Sequence, residues 1–422
     1  MKVGYILVGE DLGSELLRRQ VMELLGEIKN QDPQIEISVL NFQSIPSILN
    51  NMKKLMRLSA ELRSIGIRHC VLPNLCPWPI PNLKFKKISV GWRPYSVWNR
   101  HAARAFAIWA MPFFYVFNKL LNFNVFHCRS YPPALAAIKY KQLISGVKII
   151  FDPRSDFPEE NVTAGNWIED DKNYEFWKSA EANLLSKSDS TALIGPTYLK
   201  HYRGVVDGFN YFIVPNNVAT EVFKNNAEAR RQIRKKLGIG DDVFLFVYSG
   251  ALTEDGWHRI AFYKEFYDAV VKGQDRMALL IITPDIYSAK VQEAFNHLIN
   301  VYVVSPEYTE VAHFLSSADA GLMFLHRRKI AVGTKVGEYL CTDIPVVIND
   351  NCVGAVDLIN QNPSYGIRIG LSLGDLDSDR DIDKQKIKDL INYRPKSVAS
   401  AYFSISSIAS SYREQYENCY KN

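Results

Sequence analysis

Gly333-Thr334-Lys335-Val336-Gly337-Glu338-Tyr339-Leu340, followed two residues later by Asp343-Ile344-Pro345-Val346-Val347-Ile348, is the stretch on which the reading of this chain turns. It reads as a glycine-flexible loop, a short helix with one inward carboxylate, a tight turn and a buried apolar strand. Unpaired backbone N–H groups at a helix start, together with the helix dipole, favour an anion such as phosphate. A glutamate one turn further on can accept hydrogen bonds from sugar hydroxyls. Phosphate and a diol together describe a nucleotide, against the alternative of an ordinary surface loop leading into an ordinary αβ unit.

Working outward, strand-like runs alternate with helix-like ones, which predicts an α/β fold with parallel sheets. Buried strands are expected at 3–8, 35–40, 70–72, 125–128, 148–151, 191–194 and 212–214, with helices at 14–28 and 174–186. After a polar, basic stretch at 227–240 the alternation restarts. Strands are expected at 244–248, 278–282, 301–304, 320–324 and 345–348, and helices at 260–271, 289–300 and 308–318. A charged stretch at 374–388 precedes a last helix near 397–420. The expectation is two Rossmann-like domains, 1–208 joined by the C-terminal helix 397–422, and 209–396. Their sheets would face a central cleft, because ligands of open α/β sheets bind beyond the carboxyl ends of the strands.

A length of 422 residues exceeds one core, and 47% apolar with 12% aromatic content excludes a disordered chain. The cysteines Cys70, Cys76, Cys128, Cys341, Cys352 and Cys419 form no Cys-x-x-Cys pair, which predicts reduced thiols and a cytoplasmic protein. The start, Met1 to Gly9, lacks the length and cleavage site of a signal peptide and reads as a first buried strand. The net charge of +5 conceals an asymmetry: residues 62–151 hold thirteen Lys and Arg and not one acid. Lys84, Lys86, Lys87, Arg93, Arg100, Arg104 and Lys119 interleave with Phe85, Trp92, Tyr95, Trp98 and Trp109. That composition suits an anionic membrane surface, so a peripheral position on the inner face of the plasma membrane is expected. The bland reading is a basic surface over an aromatic core. No nucleic-acid reading module accompanies the window, and no nucleic acid is expected. The uncharged run 105–117 is too short to span a bilayer and contains Pro112.

Candidate chemistry sits at the ends of predicted strands. Asp152, Arg154, Asp156, Glu159 and Glu160 follow the strand ending at Phe151, where Asp152 or Glu160 could orient or deprotonate a hydroxyl. An Asp152–Arg154 pair that merely stiffens the loop is the competing reading. His127 and Arg129 are placed similarly; His127 is either catalytic or a satisfied core histidine, and Arg129 is suited to a phosphate. Trp257 stacks or packs, and His326-Arg327-Arg328-Lys329 is a phosphate clamp or a solvated basic turn. The acidic run Asp375, Asp377, Asp379, Asp381 reads as solvated surface, and no metal or cofactor is expected.

The ordered set of motifs resembles a GT-B glycosyltransferase, most similar to family 4 enzymes of bacterial polysaccharide assembly. Its pieces are Gly13-Ser14…Gln20-Val21, His127-Cys128-Arg129-Ser130, Asp152-Pro153-Arg154-Ser155-Asp156, Glu181 before Ser188-Asp189, Val214-Pro215-Asn216-Asn217-Val218, Tyr248-Ser249-Gly250, Ser317-Ala318-Asp319-Ala320-Gly321-Leu322 and Lys335…Glu338-Tyr339-Leu340. The resemblance implies a nucleotide-sugar donor held by the second half. Glu338 would bind its ribose; Gly250, Arg259 (or His258), Thr334 and Lys335 would hold the diphosphate. The first half would hold a lipid-linked or oligosaccharide acceptor through Ser14, Arg129 and Arg154. The resemblance also implies retention of anomeric configuration without a metal. The family's second acid falls at Ile330, a departure that leaves a non-catalytic partner subunit as an alternative. A sugar-nucleotide epimerase of the same fold is another, although its usual carboxylate pattern is not evident. Base, sugar, linkage, acceptor and oligomeric state are not legible.

Overall fold

Runs of Val, Ile, Leu and Phe without polar alternation form parallel strands covered on both faces, since neither face can be left to water. The computed structural model describes residues 1–14, 17–75, 98–144, 146–371, 384–390 and 398–421. The cluster Lys84, Lys86, Lys87 with Phe85, Arg93, Trp92 and Tyr95, and the acidic run Asp375 to Asp381, lie outside the described residues.

The chain divides into two compact units, one of Met1–Ile194, Tyr198–Val214 and Ile408–Asn422, the other of Gly195–Thr197 and Pro215–Ser407. In the first unit β1 (Lys2–Val8), β2 (Glu36–Ser44), β3 (Arg68–Asn74), β4 (Val125–Arg129), β5 (Lys148–Asp152), β6 (Ser190–Leu193) and β7 (Tyr211–Ile213) form one sheet. Its order is β3-β2-β1-β4-β5-β6-β7, and every pairing is parallel. In the second unit β8 (Phe244–Ser249), β9 (Met277–Ile282), β10 (Val301–Val304), β11 (Ala320–Met323), β12 (Val346–Asn349) and β13 (Gly366–Ile369) are ordered β10-β9-β8-β11-β12-β13, again all parallel. Both sheets therefore reverse winding once, between β1 and β4 and between β8 and β11. A doubly wound sheet opens a crevice at that point, outside the carboxyl ends of the two strands.

Each unit uses an aspartate at the foot of a strand to tie the sheet to a basic helix. Asp189 Oδ2 accepts from Ile149 N–H (2.7 Å) and Lys141. Asp319 Oδ2 accepts from Leu245 N–H (2.8 Å) and Arg234 Nη2 (2.9 Å). Arg234, 1% exposed, also donates to Ser317 O, Gly240 O and Val243 O. It lies on the helix Ala227–Leu237, capped by Asn226 and closed by left-handed Gly238. The polar stretch expected at 227–240 is thus a helix that packs Ile233 and Leu237 against the core and buries Arg234 beside them.

The long basic, acid-free window contains a long helix. The helix Arg100–Leu121 is 22 residues long, capped by the Asn99 side chain, and carries Pro112 in its interior. Ala103, Phe106, Ala107, Ala110 and Phe114 are buried beneath it, while Arg104, Ile108, Pro112, Tyr115, Val116, Lys119 and Leu120 face outward. No described helix is long and apolar enough to cross a membrane. Strand β13 and the helix Val353–Gln361 complete the second sheet's edge and were not marked by a sequence signal as clear as those of β8 or β12.

Replacing Arg234 with Met removes one of the two guanidinium partners of Asp319, leaving Arg230 Nη2 on Oδ1 at 2.8 Å. We expect Arg234→Met to lose about 1–3 kcal/mol in urea unfolding, the value of hydrogen bonds to a charged group. A loss near zero would mean that the cluster is solvated and contributes nothing.

Candidate functional site

In the second unit the two strands at the winding reversal touch only at their feet. Ala320 pairs with Phe246 and Gly321 with Val247; beyond them β8 and β11 splay. Tyr339 fills the gap from the helix Thr334–Cys341. Its hydroxyl accepts from Ser249 N–H (2.9 Å) and donates to Leu322 O (3.3 Å). Its ring lies on Gly321, where an added Cβ would sit 2.4 Å from two of its carbons. The tyrosine thus takes the place of the missing ladder, and glycine is required beneath it.

That arrangement fixes the helix start over the crevice. Gly250, directly after β8, has φ +138°, and an added Cβ would sit 2.2 Å from Lys335 Cε and 2.6 Å from Nζ. The Lys335 ammonium lies 6.0 Å from the centroid of the Tyr248 ring. Burial pushes its pKa down, the Glu338 carboxylate pulls it back up, and Lys329 opposes again. Thr334 opens the helix, half-buried, where first-turn N–H groups have no intrahelical partner.

More cations line the same rim. Lys329 Nζ sits 5.0 Å from the Trp257 ring centroid, and Trp257 O accepts from His326 N–H (2.9 Å). His258 Nδ1 donates to Phe324 O (3.1 Å), so Nε2 carries no proton. Burial, then Lys335, hold His258 neutral, with its pKa well below the ordinary value. Arg259 carries a buried Nε with no hydrogen-bond partner. The loop that bears His326 and Lys329 is pinned by the buried Asn349, which accepts from Leu325 N–H (3.0 Å) and donates to Leu325 O (2.8 Å). Among the expected donor residues, the structure brings Gly250, Lys335 and Glu338 together, with Thr334 beside them and Arg259 on the loop after β8. Ile330 is buried at 7% exposure, and its carbonyl abuts Gly354, so this position is core. Tyr339 and Asn349 were given no role from sequence, whereas Lys329 belongs to the basic turn read as a phosphate clamp or a solvated surface. The Glu-Tyr-Leu motif marks Tyr339, but its bridging role depends on the strand order.

In the first unit the reversal lies between β1 and β4, and charged groups fill its carboxyl end. Arg129 Nε donates to Glu10 Oε2 (2.8 Å) and Nη2 to Gln20 Oε1 (2.7 Å), while Nη1 is buried without a partner. Two non-glycine residues here have positive φ, Ser130 (77°) and Arg154 (58°), the strained backbone that clusters at functional sites. Ser14 Oγ accepts from Leu17 N–H (3.4 Å).

His127 and Asp152 lie in the interior of the first unit. Neither presents a face to a second molecule, being 0% and 1% exposed. His127 Nδ1 meets Tyr416 Oη (2.6 Å) and Nε2 meets Asp152 Oδ2 (3.2 Å). The same Oδ2 accepts from Tyr412 Oη (3.0 Å), and Arg154 Nη1 lies 3.7 Å from Oδ1. Burial pushes the His127 pKa down despite the Asp152 hydrogen bond. Burial alone would raise the Asp152 pKa, but Arg154 and His127 bring it below the ordinary value. The pair is a neutral imidazole on a carboxylate, locked by two tyrosines of the C-terminal helix Ile405–Lys421. Its geometry is that of a positioning network, the loop-stiffening alternative. Glu160, on the helix Phe157–Thr163, is half-buried at the rim.

No protein-family profile matches the sequence, and no curated protein is matched by it. Solved structures do match in fold. A glycosyltransferase from Rickettsia africae superposes with a TM-score of 0.67 at 15% identity, covering 100% of this chain and 99% of that one. A sucrose-phosphate synthase from Thermosynechococcus elongatus gives 0.62 at 13% identity, covering 99% and 94%. The Anabaena protein HepE, solved with UDP and glucose, gives 0.60 at 12% identity, covering 99% and 100%. The fold of this chain, with its two doubly wound parallel sheets, is the GT-B fold.

The buried histidine sets a pH dependence. A histidine held neutral by folding takes up a proton only on unfolding below its ordinary pKa of about 6.5. Its folded pKa is depressed, so stability falls as pH drops below that value. His127→Gln keeps hydrogen bonds to Tyr416 and Asp152 but cannot titrate. The decline in unfolding free energy between pH 6.5 and 5 should be shallower in the variant, as measured by urea titrations at each pH. An unchanged slope would mean that folding does not shift the His127 pKa.

Proposed function

We propose that this protein is a glycosyltransferase that moves a sugar from a nucleotide-sugar donor to a lipid-linked or polysaccharide acceptor in bacterial surface polysaccharide synthesis. The observation that carries the reading is the cation cluster at the β8/β11 reversal. Lys335 lies against Gly250, Lys329 and Arg259 stand on the loops that follow β11 and β8, and Glu338 is one helical turn on from Lys335. A nucleoside diphosphate leaving group develops negative charge as the bond to the anomeric carbon breaks, and fixed cations with helix N–H groups stabilise it. The acceptor hydroxyl oxygen forms the new bond, and its proton passes to the departing phosphate. These side-chain cations are our reason for proposing transfer without a metal ion; retention of configuration rests on the family resemblance. The GT-B neighbour HepE, solved with UDP and glucose, supports the donor class.

The outward stripe of the helix Arg100–Leu121 supports a peripheral position on the inner face of the membrane. Ile108 and Leu120 are 59% and 73% exposed, with Arg104 and Lys119 on the same side. Apolar side chains flanked by cations lie well on anionic lipid. A second reading, a non-catalytic GT-B partner subunit, is favoured by the buried Ile330 at the place of the family's second acid.

Incubation with UDP-, GDP- and CMP-sugars should release nucleotide slowly from one donor, equally with and without a chelator. Silence across the panel would favour the partner-subunit reading. Lys335→Ala and Glu338→Ala should each weaken calorimetric binding of the matching nucleotide by roughly ten- to a hundredfold, the value of a charged hydrogen bond. Unaltered affinity would remove both assignments. Ile108→Ser with Leu120→Ser should reduce co-sedimentation with phosphatidylserine vesicles, and equal co-sedimentation would discard the membrane contact.

A further inference from the structure

Parallel strands put all their amino ends on one rim, remote from the carboxyl ends that carry the candidate site. On that rim of the first unit lies a groove of about 550 Å³, within the range of ~300–1,000 Å³ typical of small-molecule sites. The starts of β5, β6 and β7 line it, and the C-terminal helix adds Gln415 and Asn418. All of it belongs to one compact unit.

Its lining has a definite chemistry. Ser190 is 1% exposed, and its hydroxyl has no hydrogen-bond partner; the Ser188 hydroxyl is likewise buried and unpaired. Buried hydroxyls without partners are rare, and they mark this end of the sheet as polar rather than apolar. Asn210 Nδ2 donates to Asp189 O (3.2 Å), and the Gln415 amide has a weak contact to Cys419 Sγ (3.7 Å). Tyr211 is 39% exposed, with Phe209 beside it at 5.8 Å between ring centroids. Hydroxyls and carboxamides next to an open aromatic face suit a polyol ring, which offers both hydroxyl edges and C–H faces.

The charges that line the groove, Lys148, Lys187 and Asp189, largely offset one another together with a helix end. The Asp189 carboxylate is already shared among Ile149 N–H, Lys141 and Lys148. The helix Lys172–Lys187 ends here, so its dipole presents the negative pole to the groove. Lys187 remains as an exposed cation at the edge.

We propose that this groove binds a neutral oligosaccharide, as a second glycan site separate from the donor site. The binding itself does not depend on the donor assignment. Only its use, to tether a distant stretch of the acceptor, rests on the proposed transferase.

The test is saturation-transfer NMR on the full chain with maltopentaose, cellopentaose and chitopentaose, with nucleotide binding measured separately as a control. At least one sugar should receive saturation, and Tyr211→Ala should weaken it about tenfold, the value of one aromatic contact. Asn418→Ala, at an exposed position, should weaken it without altering the melting temperature, and nucleotide affinity should be unchanged in both variants. No transfer to any of the three sugars, equal binding by both variants, or displacement by inorganic phosphate would each overturn the proposal.

Discussion

The second unit depends on one tyrosine hydroxyl bridging two strands that cannot pair. Where β8 and β11 splay, Ser249 N–H and Leu322 O lose the ladder, and unpaired buried backbone groups are costly. Tyr339 Oη satisfies both, and it reaches them because Gly321 leaves space for the ring. The tether holds the helix Thr334–Cys341 with its start above Gly250. Lys335, one residue inside that helix, has its place from the same contact. An anion site of this kind needs no flexible loop to assemble it: the groups that would receive charge are attached to the core.

The first unit solves the same topological problem with charge. At its reversal point Arg129 joins Glu10 and Gln20, and behind it His127 and Asp152 are buried against Tyr412 and Tyr416. The tyrosines come from the end of the chain, so the last helix helps to organise residues near the middle of the sequence. Asp189 and Asp319 repeat one device in the two units, each receiving a strand N–H and a basic side chain. This accounts for the Ser-Asp and Ser-Ala-Asp pieces of the sequence as structural ties rather than chemistry.

The strands of both sheets were legible because a parallel strand covered on both faces has nowhere to put polar residues. The runs Phe244 to Tyr248 and Val346 to Ile348 could be read directly. The helix Ala227–Leu237 was not, since its buried anchor is Arg234, which composition counts as surface. The helix Arg100–Leu121 was obscured by Pro112 and by apolar residues on both sides, only one of which is buried. At the site, Gly250, Lys335 and Glu338 were named through the family resemblance, to which the helix start and its inward carboxylate gave independent chemical sense. The bridging role of Tyr339 could not be read, because it follows from which strands are neighbours. His127 carried two readings in sequence, and only burial and the Tyr416 contact distinguish them.

The central claim is that a nucleoside diphosphate occupies the β8/β11 reversal of the second unit. A crystal structure of the protein grown with the nucleotide of its donor tests this most directly. The account predicts diphosphate oxygens within hydrogen-bonding distance of Lys335 Nζ and the amides at Thr334, with ribose hydroxyls on the Glu338 carboxylate. Nucleotide bound elsewhere, with Lys335 and Glu338 untouched, would contradict it.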